Sequence, residues 1–296
     1  MCAYLTGGLS WHSLRTLTVL FVLTIVVMPA HMSAVSINRA HAIVAKPMRW
    51  LFAGPGVVAA IAADTEASRS LDNTRPFIVG RGHVPGIPPS WNAVRLVSLK
   101  SVSEIRSALK MGSLDPEVRG VMYDYEKWQF TPEEEQRNPA RYVKQAADLV
   151  HARGLLFLTA PAVNLVTVMA PEEDRSRLHD AYLRLGIAAD AARHADVVEI
   201  QAQRFESDTE LYANFVRQAA AQARDANPKV VVLAGISTQP FGPRITADDI
   251  FRAITATREF VDGYWFNVPR PSAYSPHATE FRPDIAIDVL RRLAAQ

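Results

Sequence analysis

Two acidic side chains, Asp124 and Glu126, lie two positions apart in the run GVMYDYE at residues 120–126. Side chains alternate between the two faces of a β-strand, so both carboxyls share the face of Met122. Carboxyls at this spacing raise the pKa of one of them, which leaves a neutral acid beside an anion near neutral pH. Such a pair can protonate a leaving-group oxygen. A helix cap or a salt-bridge pair is the structural alternative.

A second polar face occurs in the run DVVEIQAQ at residues 196–203, where Glu199, Gln201 and Gln203 alternate with apolar residues. Acid and amide side chains on a buried strand are costly unless they find partners. Inside a barrel they can bind a polyhydroxylated ligand, and Glu199 can also act as a second carboxylate. An edge strand with a solvated face is the alternative interpretation.

Aromatic and amide side chains share one face of the run GYWFNV at residues 263–268. Trp265 offers an apolar platform for a sugar ring, and Asn267 offers a hydrogen-bond partner. Trp128, two residues beyond the acidic pair, falls in a predicted strand-end segment and adds a further aromatic side chain. A core position for Trp265 is the alternative.

Short β-rich runs alternate with stretches of helical periodicity from residue 76 onward. The predicted strands are 77–81, 94–99, 120–126, 155–161, 196–203, 230–235 and 263–268, and the predicted helices are 102–111, 132–152, 175–192, 208–226, 247–259 and 283–295. Several predicted helix starts place a hydroxyl three residues before a carboxylate, which is typical of a helix cap. These pairs are Ser101 with Glu104, Thr131 with Glu134, Ser207 with Glu210 and Thr246 with Asp249. Strands that are each followed by capped helices indicate parallel strands with right-handed crossovers.

A closed (β/α)8 barrel fits this pattern best. Seven strands are recognised, and the eighth is expected in the irregular segment 82–92 or before Pro76. An open, doubly wound α/β sheet is the alternative, although neither G-x-G-x-x-G nor G-x-x-x-x-G-K-[ST] occurs in the chain. Active sites of such barrels lie at the carboxyl ends of the strands, where the acidic pair falls.

The N-terminal region is typical of an export signal. Arg15 precedes the apolar run Leu17–Met28, which is shorter than the roughly 20 residues that a membrane span needs. We therefore predict that residues 1–42 are a signal peptide or signal anchor, 43–75 a linker or N-terminal extension, and 76–296 a single barrel domain. The protein is expected to be secreted or in the cell envelope, with membrane contact only through an uncleaved N-terminal segment.

Composition excludes several classes of function. The chain has 296 residues with 32 Lys+Arg against 30 Asp+Glu, a balance that argues against a nucleic-acid partner. Its one cysteine, Cys2, precedes the apolar run, so the mature domain has no disulfide or cysteine-ligated zinc. The histidines show no metal-ligand spacing such as H-E-x-x-H, and we predict no metal site.

The segment Asp124-Tyr125-Glu126 resembles the D-x-E motif at a barrel strand end in chitinase-type glycoside hydrolases. The resemblance implies that Glu126 is the general acid and that Asp124 orients an acetamido group of the substrate. These enzymes also carry a tryptophan on the last strand beneath the sugar, which would correspond to Trp265. The chain departs from the full motif at Met122, where those enzymes have an aspartate.

These observations together predict an exported glycoside hydrolase-like barrel that acts on a polysaccharide or oligosaccharide. Glu126 would be the acid/base, with Asp124 and Glu199 as the other carboxylates, and Gln201, Gln203, Trp265, Asn267 and Trp128 would bind substrate. No metal or organic cofactor is required. One alternative is a non-catalytic carbohydrate-binding barrel of the cell envelope, and another is a barrel lyase or hydrolase with a deep pocket for a small molecule.

Overall fold

The fold is a closed barrel of eight parallel strands, as predicted. The computed structural model describes residues 47–80 and 83–296. The strands are β1 Arg49–Ala53, β2 Phe77–Val79, β3 Val94–Leu99, β4 Gly120–Tyr123, β5 Leu156–Thr159, β6 Val197–Ile200, β7 Val231–Ser237 and β8 Gly263–Asn267. Each strand pairs with its neighbour in sequence, and β8 closes the ring on β1 through the pairs that begin at Arg49 and Gly263. This closure excludes the open-sheet alternative.

Helices surround the ring in the order that the sequence pattern requires. They are α1 Pro55–Ala63, α2 Thr65–Arg69, α3 Val102–Met111, α4 Glu133–Arg137, α5 Pro139–His151, α6 Val166–Met169, α7 Leu178–Arg184, α8 Ile187–Ala192, α9 Thr209–Ala226, α10 Ala247–Thr257 and α11 Pro283–Ala294. The predicted caps of α3 and α10 are confirmed, because Ser101 accepts from the backbone of Glu104 and Thr246 forms a reciprocal capping box with Asp249. The caps predicted at Thr131 and Ser207 are wrong, because α4 begins after Pro132 and α9 is capped by the side chain of Asp208. Within the described residues, none of the helices combines the length and apolar character needed to span a membrane.

The first strand lies in the segment that the sequence analysis treated as a linker. β1, with the sequence RWLFA, buries Leu51 and Phe52 completely. Gly54 and Pro55 follow it at once, and Pro55 occupies the first turn of α1, where its missing N–H costs nothing. The predicted domain boundary at residue 76 is therefore too late, because the glycine and proline form a strand–helix junction. The predicted export signal at 1–42 lies outside the described residues.

Alternation along the strands separates an inner core from an outer core. The inner cluster includes one residue or more from every strand: Leu51, Phe77, Val79, Leu96, Met122, Leu158, Val197, Leu233 and Trp265. The intervening residues, such as Val121 and Val198, pack outward against the helices. Met122 and Val197 thus confirm which face of β4 and of β6 is directed into the barrel.

Several strands are shorter than predicted, β4 and β6 among them, and two helices are divided. β4 ends at Tyr123 and β6 at Ile200, where the N–H of Ala202 bonds back to the Ile200 carbonyl at 2.8 Å and turns the chain. The helix predicted at 132–152 is split before Pro139, because proline lacks a backbone N–H and restricts the residue before it. The helix predicted at 175–192 is interrupted at Gly186, which has φ of 65°.

Candidate functional site

A cavity of about 250 Å³ opens among the loops at the carboxyl ends of the strands. The side chains that line it include Glu126, Asn164, Gln201, Gln203, Trp265 and Asn267. Five of these six are residues that the sequence analysis selected, and they come from the ends of β4, β6 and β8. Its volume is just below the range of about 300–1,000 Å³ that is typical of ligand pockets.

Glu126 is the one carboxylate among the described residues that line this cavity. It is half-buried, and the side-chain amide of Asn164 donates to its Oε2 at 3.5 Å. Burial raises the pKa of Glu126 to about 7, and the charge of Asp124 adds to this effect. The ammonium of Lys100 and the amides of Gln201 and Asn164 oppose it. An acid of this pKa exchanges a proton readily near neutral pH.

Asp124 is buried, is not among the residues that line the cavity, and forms an ion pair with Lys100. The two side chains are only 8% and 13% exposed. The Lys100 ammonium also donates to the hydroxyl of Ser98 at 2.6 Å and lies 5.2 Å from the ring centre of Trp128. The second carboxylate oxygen of Asp124, Oδ1, is buried and has no hydrogen-bond partner within 47–80 and 83–296.

Glu199 is fully buried and is not among the residues that line the cavity. Neither of its carboxyl oxygens has a hydrogen-bond partner in the described part of the chain. Burial holds the pKa of Glu199 well above its usual range, and the charges of Asp124 and Glu126 raise it further. Burial without a hydrogen-bond partner disfavours the charged form, so the structure gives no support to Glu199 as an anionic second carboxylate.

The space for Glu199 and Gln203 depends on Gly235 of β7. A Cβ atom at position 235 would lie 2.4 Å from Oε1 of Glu199 and 2.4 Å from the amide of Gln203. A methyl group at position 235 would therefore displace two polar side chains, from β6 and its following loop, that cross over the β7 backbone. The Nε2 atom of Gln201 donates to the carbonyl of Ala160 at 3.3 Å, which joins the segment after β6 to the end of β5.

We expect Gly235→Ala to lower the free energy of unfolding by about 1–3 kcal/mol, because the added methyl group overpacks the interior. Chemical denaturation measures the effect. In a double-mutant cycle with Glu199→Ala, the two costs are expected to be strongly non-additive, since the methyl and the carboxyl compete for one space. Additive costs would show that the methyl group is accommodated elsewhere.

The aromatic residues predicted at the site are divided between two environments. Trp265 is 9% exposed and lines the cavity, and its Nε1 has no hydrogen-bond partner among the described residues. Trp128 lies outside the lining and donates from Nε1 to the hydroxyl of Thr131 at 2.8 Å. It packs edge-on against Tyr274, which does line the cavity. Trp128 therefore supports the cavity wall without forming part of it.

Exposed aromatic side chains gather at the cavity. Among the described residues, Met111, Phe241 and Tyr274 are the large hydrophobic side chains that remain exposed, and the last two line the cavity at 60% and 41% exposure. Apolar faces left open to solvent beside polar groups mark a binding surface. Here they lie next to the amides of Gln201 and Asn267.

Sequence reasoning missed several residues of the site. Lys100 was detectable, because Leu96, Ser98 and Lys100 alternate with the same period as Met122, Asp124 and Glu126. Arg204 and His277 line the cavity from loops, and Asn164 lines it from a single 3₁₀ turn at Val163–Leu165. Segments of this kind have no periodic pattern that indicates the direction of a side chain. Within the described ranges, no group of three or more His, Cys, Asp or Glu residues is arranged to hold a metal ion.

Comparisons with known proteins find distant structural likeness only. No protein-family model matches the chain, and no curated protein does so either. A chitinase from Chromobacterium violaceum is 11% identical with a TM-score of 0.45, covering 82% of this chain and 98% of the other. The spore cortex-lytic enzyme of Bacillus megaterium is 10% identical with a TM-score of 0.43 over 74% and 70% of the chains. A thiamine phosphate pyrophosphorylase from Pyrococcus furiosus is 11% identical with a TM-score of 0.41 over 85% and 98%. Likeness at this level assigns no activity.

Proposed function

We propose that this chain is a carbohydrate-processing barrel that hydrolyses glycosidic bonds, with Glu126 as the general acid/base. The observation that carries the proposal is the position of Glu126: it is the one carboxylate on the described cavity wall, and its pKa is raised to about 7 by burial and by Asp124. A glycosidic oxygen is a poor leaving group until it receives a proton, and a half-neutral carboxyl at neutral pH supplies one.

The proposed reaction begins with the protonated form of Glu126. Its proton passes to the glycosidic oxygen as the bond from that oxygen to the sugar carbon breaks, and Glu126 becomes a carboxylate. Its positive neighbour Lys100 and the amides of Asn164 and Gln201 favour this anion. Where a substituent of the substrate has displaced the leaving group, water then attacks the sugar carbon from the side of Glu126 and gives its proton to the carboxylate, which restores the acid. Where water attacks directly from the opposite side, its proton passes to solvent and Glu126 is reprotonated from solvent.

The attacking group in this proposal is water or a substituent of the substrate. Glu199 is off the cavity wall, and its burial disfavours the charged form, so the proposal gives it no nucleophilic role. Direct attack by water would invert the sugar carbon, whereas attack by a substituent of the substrate, as the chitinase resemblance implies, would retain it. The anomer first released, read by proton NMR, distinguishes the two routes.

Substrate binding in this proposal uses the amides and aromatic faces of the cavity. Gln201, Gln203 and Asn267 offer donors and acceptors for sugar hydroxyls, while Trp265 and Tyr274 offer apolar faces for the ring. The small volume favours one or two sugar units in the cavity itself. Export through residues 1–42 is part of the proposal and would place the substrate in the cell envelope or outside the cell.

The test is release of reducing ends from a panel of cell-wall and plant glycans by the purified protein. The Glu126→Gln protein, purified in parallel, controls for contaminating hydrolases. We expect the unmodified chain to release products from at least one glycan and the variant to release almost none. Equal release by both proteins would exclude Glu126 as the acid.

A non-catalytic carbohydrate-binding barrel is the second candidate, favoured by the absence of a second carboxylate from the described cavity wall. It predicts that a glycan array shows binding by both proteins while neither forms products. Hydrolysis of any bound glycan by the unmodified chain would decide for the enzyme.

A further inference from the structure

The cavity wall carries more positive than negative groups. Two arginines, Arg175 and Arg204, line it, whereas Glu126 is its one carboxylate among the described residues. Neutral sugars are bound through hydroxyl groups and give no reason for this excess. Arginine is over-represented where carboxylate or phosphate groups are recognised, because its planar fork donates two parallel hydrogen bonds.

The guanidinium of Arg204 is the best placed of these groups. Within residues 47–80 and 83–296 its side chain forms no hydrogen bond or ion pair, and it lies 4.8 Å from the ring centre of Phe241. The charge of Glu126 acts on it. An arginine at a cavity wall whose donors have no protein acceptor is available to a ligand.

The backbone around Arg204 is anchored from below. Glu206 is fully buried, and its Oε2 accepts from the backbone N–H of Arg204 at 2.7 Å. Its Oε1 accepts from the N–H of Ser237, at the end of β7, at 2.8 Å. The carboxylate thus ties the loop after β6 to the neighbouring strand, so Arg204 is held in place by the barrel.

Arg204 also adopts a backbone conformation that favours glycine, with φ of 102°. A residue other than glycine is strained in this region, and strain of this kind gathers at ligand sites where the surrounding structure enforces it. An arginine at this position therefore lowers stability relative to glycine. Its side chain has no stabilising ion pair within the described residues that would offset this.

We infer that the cavity binds sugars that carry an oxyanion, such as the carboxylate of a uronic acid, and that Arg204 pairs with this group. The inference rests on the proposed function, because it names the class of glycan that the same cavity accepts. Arg204 acts here as a binding residue that determines specificity, while Glu126 retains the proton chemistry.

The test is calorimetric binding to the Glu126→Gln protein, which prevents turnover. The probes are a uronic-acid oligosaccharide, a sulfated oligosaccharide and a neutral chito-oligosaccharide of matched length. We expect at least one of the two anionic probes to bind at least tenfold more tightly than the neutral one. The carboxylate and sulfate probes then tell which oxyanion the site prefers. Arg204→Gly is expected to weaken that binding by about 10- to 100-fold, the loss of one charge-assisted hydrogen-bonded pair.

Arg75→Gly is the matched control. Arg75 is exposed, lies outside the cavity lining and also has positive φ, at 54°. Both glycine variants remove one positive charge and relieve one strained backbone position, so neither is expected to lower the melting temperature. Only Arg204→Gly should change binding of the anionic probe, and Arg204→Lys should restore part of it.

Three outcomes would overturn the inference: equal binding of neutral and anionic probes, no binding of any probe, or equal effects of the two glycine variants. Failure of the proposed function looks different. If the unmodified chain binds the anionic probe through Arg204 but hydrolyses no glycan, the inference stands and the hydrolase proposal falls. If it hydrolyses neutral glycans with no dependence on Arg204, the hydrolase proposal stands and the inference falls.

Discussion

Glu126→Gln is expected to lower kcat by about 10²- to 10⁴-fold on the glycan that the protein hydrolyses, the usual contribution of a positioned general acid. Glutamine keeps the shape of the side chain and can still meet the amides of Asn164 and Gln201, but it has no acidic proton to give. An activated aryl leaving group needs less protonation, so kcat of Glu126→Gln on a substrate that carries one should fall much less. A missing acid should lower kcat mainly on the natural substrate, whereas a damaged cavity should lower it on both.

Glu259→Gln is the control, because Glu259 is exposed and lies just beyond the end of α10. It should leave kcat unchanged, and both variants should melt close to the unmodified protein. An equal loss on natural and activated substrates would contradict the acid role of Glu126 even if the overall loss were large.

The pH dependence follows from the same group. Since the protonated form of Glu126 is active and its pKa is about 7, the rate should be highest below pH 7 and fall about tenfold for each pH unit above it. Asp124→Asn removes a charge that raises this pKa and should move the alkaline limb to lower pH, whereas Lys100→Met should move it to higher pH. A flat profile between pH 6 and 9 would show that another group gives the proton.

Stability should respond to pH with a defined sign. The folded-state pKa of Glu126, about 7, lies above its usual value of 4.5. Its contribution to stability is therefore fully present below about pH 4.5 and is lost as pH rises through about 7. Glu126→Gln should reduce this part of the slope of unfolding free energy against pH.

The alternation of side chains allowed much of the barrel interior to be predicted from sequence. It placed Glu126 on the inner side of β4 and Gln201 and Gln203 on that of β6, and the cavity lining contains all of them. The assignment succeeds because the period of two is set by backbone geometry, which does not depend on the partner strand. The alternation of side chains continues for a few residues beyond the last hydrogen bond between the strands, even though β4 itself ends at Tyr123.

The first strand was not recognised because its pattern is ambiguous. The sequence RWLFA is a short apolar run, which periodicity cannot distinguish from part of a buried helix. Gly54, Pro55 and Gly56 follow it at once, a composition that is also typical of the linker predicted for 43–75. Closure of the ring decides the matter: the pairing of β1 with both β2 and β8 shows that this run is a strand.

The burial of Glu199 and the loop positions of Arg204 and His277 depend on tertiary contacts. Nothing in the sequence states that Gly235 opens space for a carboxyl from the neighbouring strand. Loop side chains follow no period, and their directions are fixed by single contacts such as the bonds of Glu206 to the backbone of Arg204 and Ser237. Sequence reasoning therefore found the strand-borne half of the site and missed most of the loop-borne half.

Asp124→Ala is expected to lower the free energy of unfolding by about 3–5 kcal/mol, because it leaves the buried ammonium of Lys100 without its carboxylate. Both partners of this ion pair are at most 13% exposed, so water cannot replace the lost charge. Urea denaturation measures the change. The matched control is Asp148→Ala, which breaks the exposed pair of Lys144 and Asp148 on α5 and should cost less than about 1 kcal/mol.

The double variant Lys100→Met with Asp124→Leu separates charge from packing. Replacing both partners of a buried ion pair with apolar groups is often neutral or stabilising, so this protein should regain most of the stability lost in Asp124→Ala. It should also lose the pH behaviour of Glu126 that depends on the two charges. If the double variant is as unstable as Asp124→Ala, the loss of stability does not come from an unpaired buried charge. The pair would then contribute through its shape and through the bond from Lys100 to Ser98.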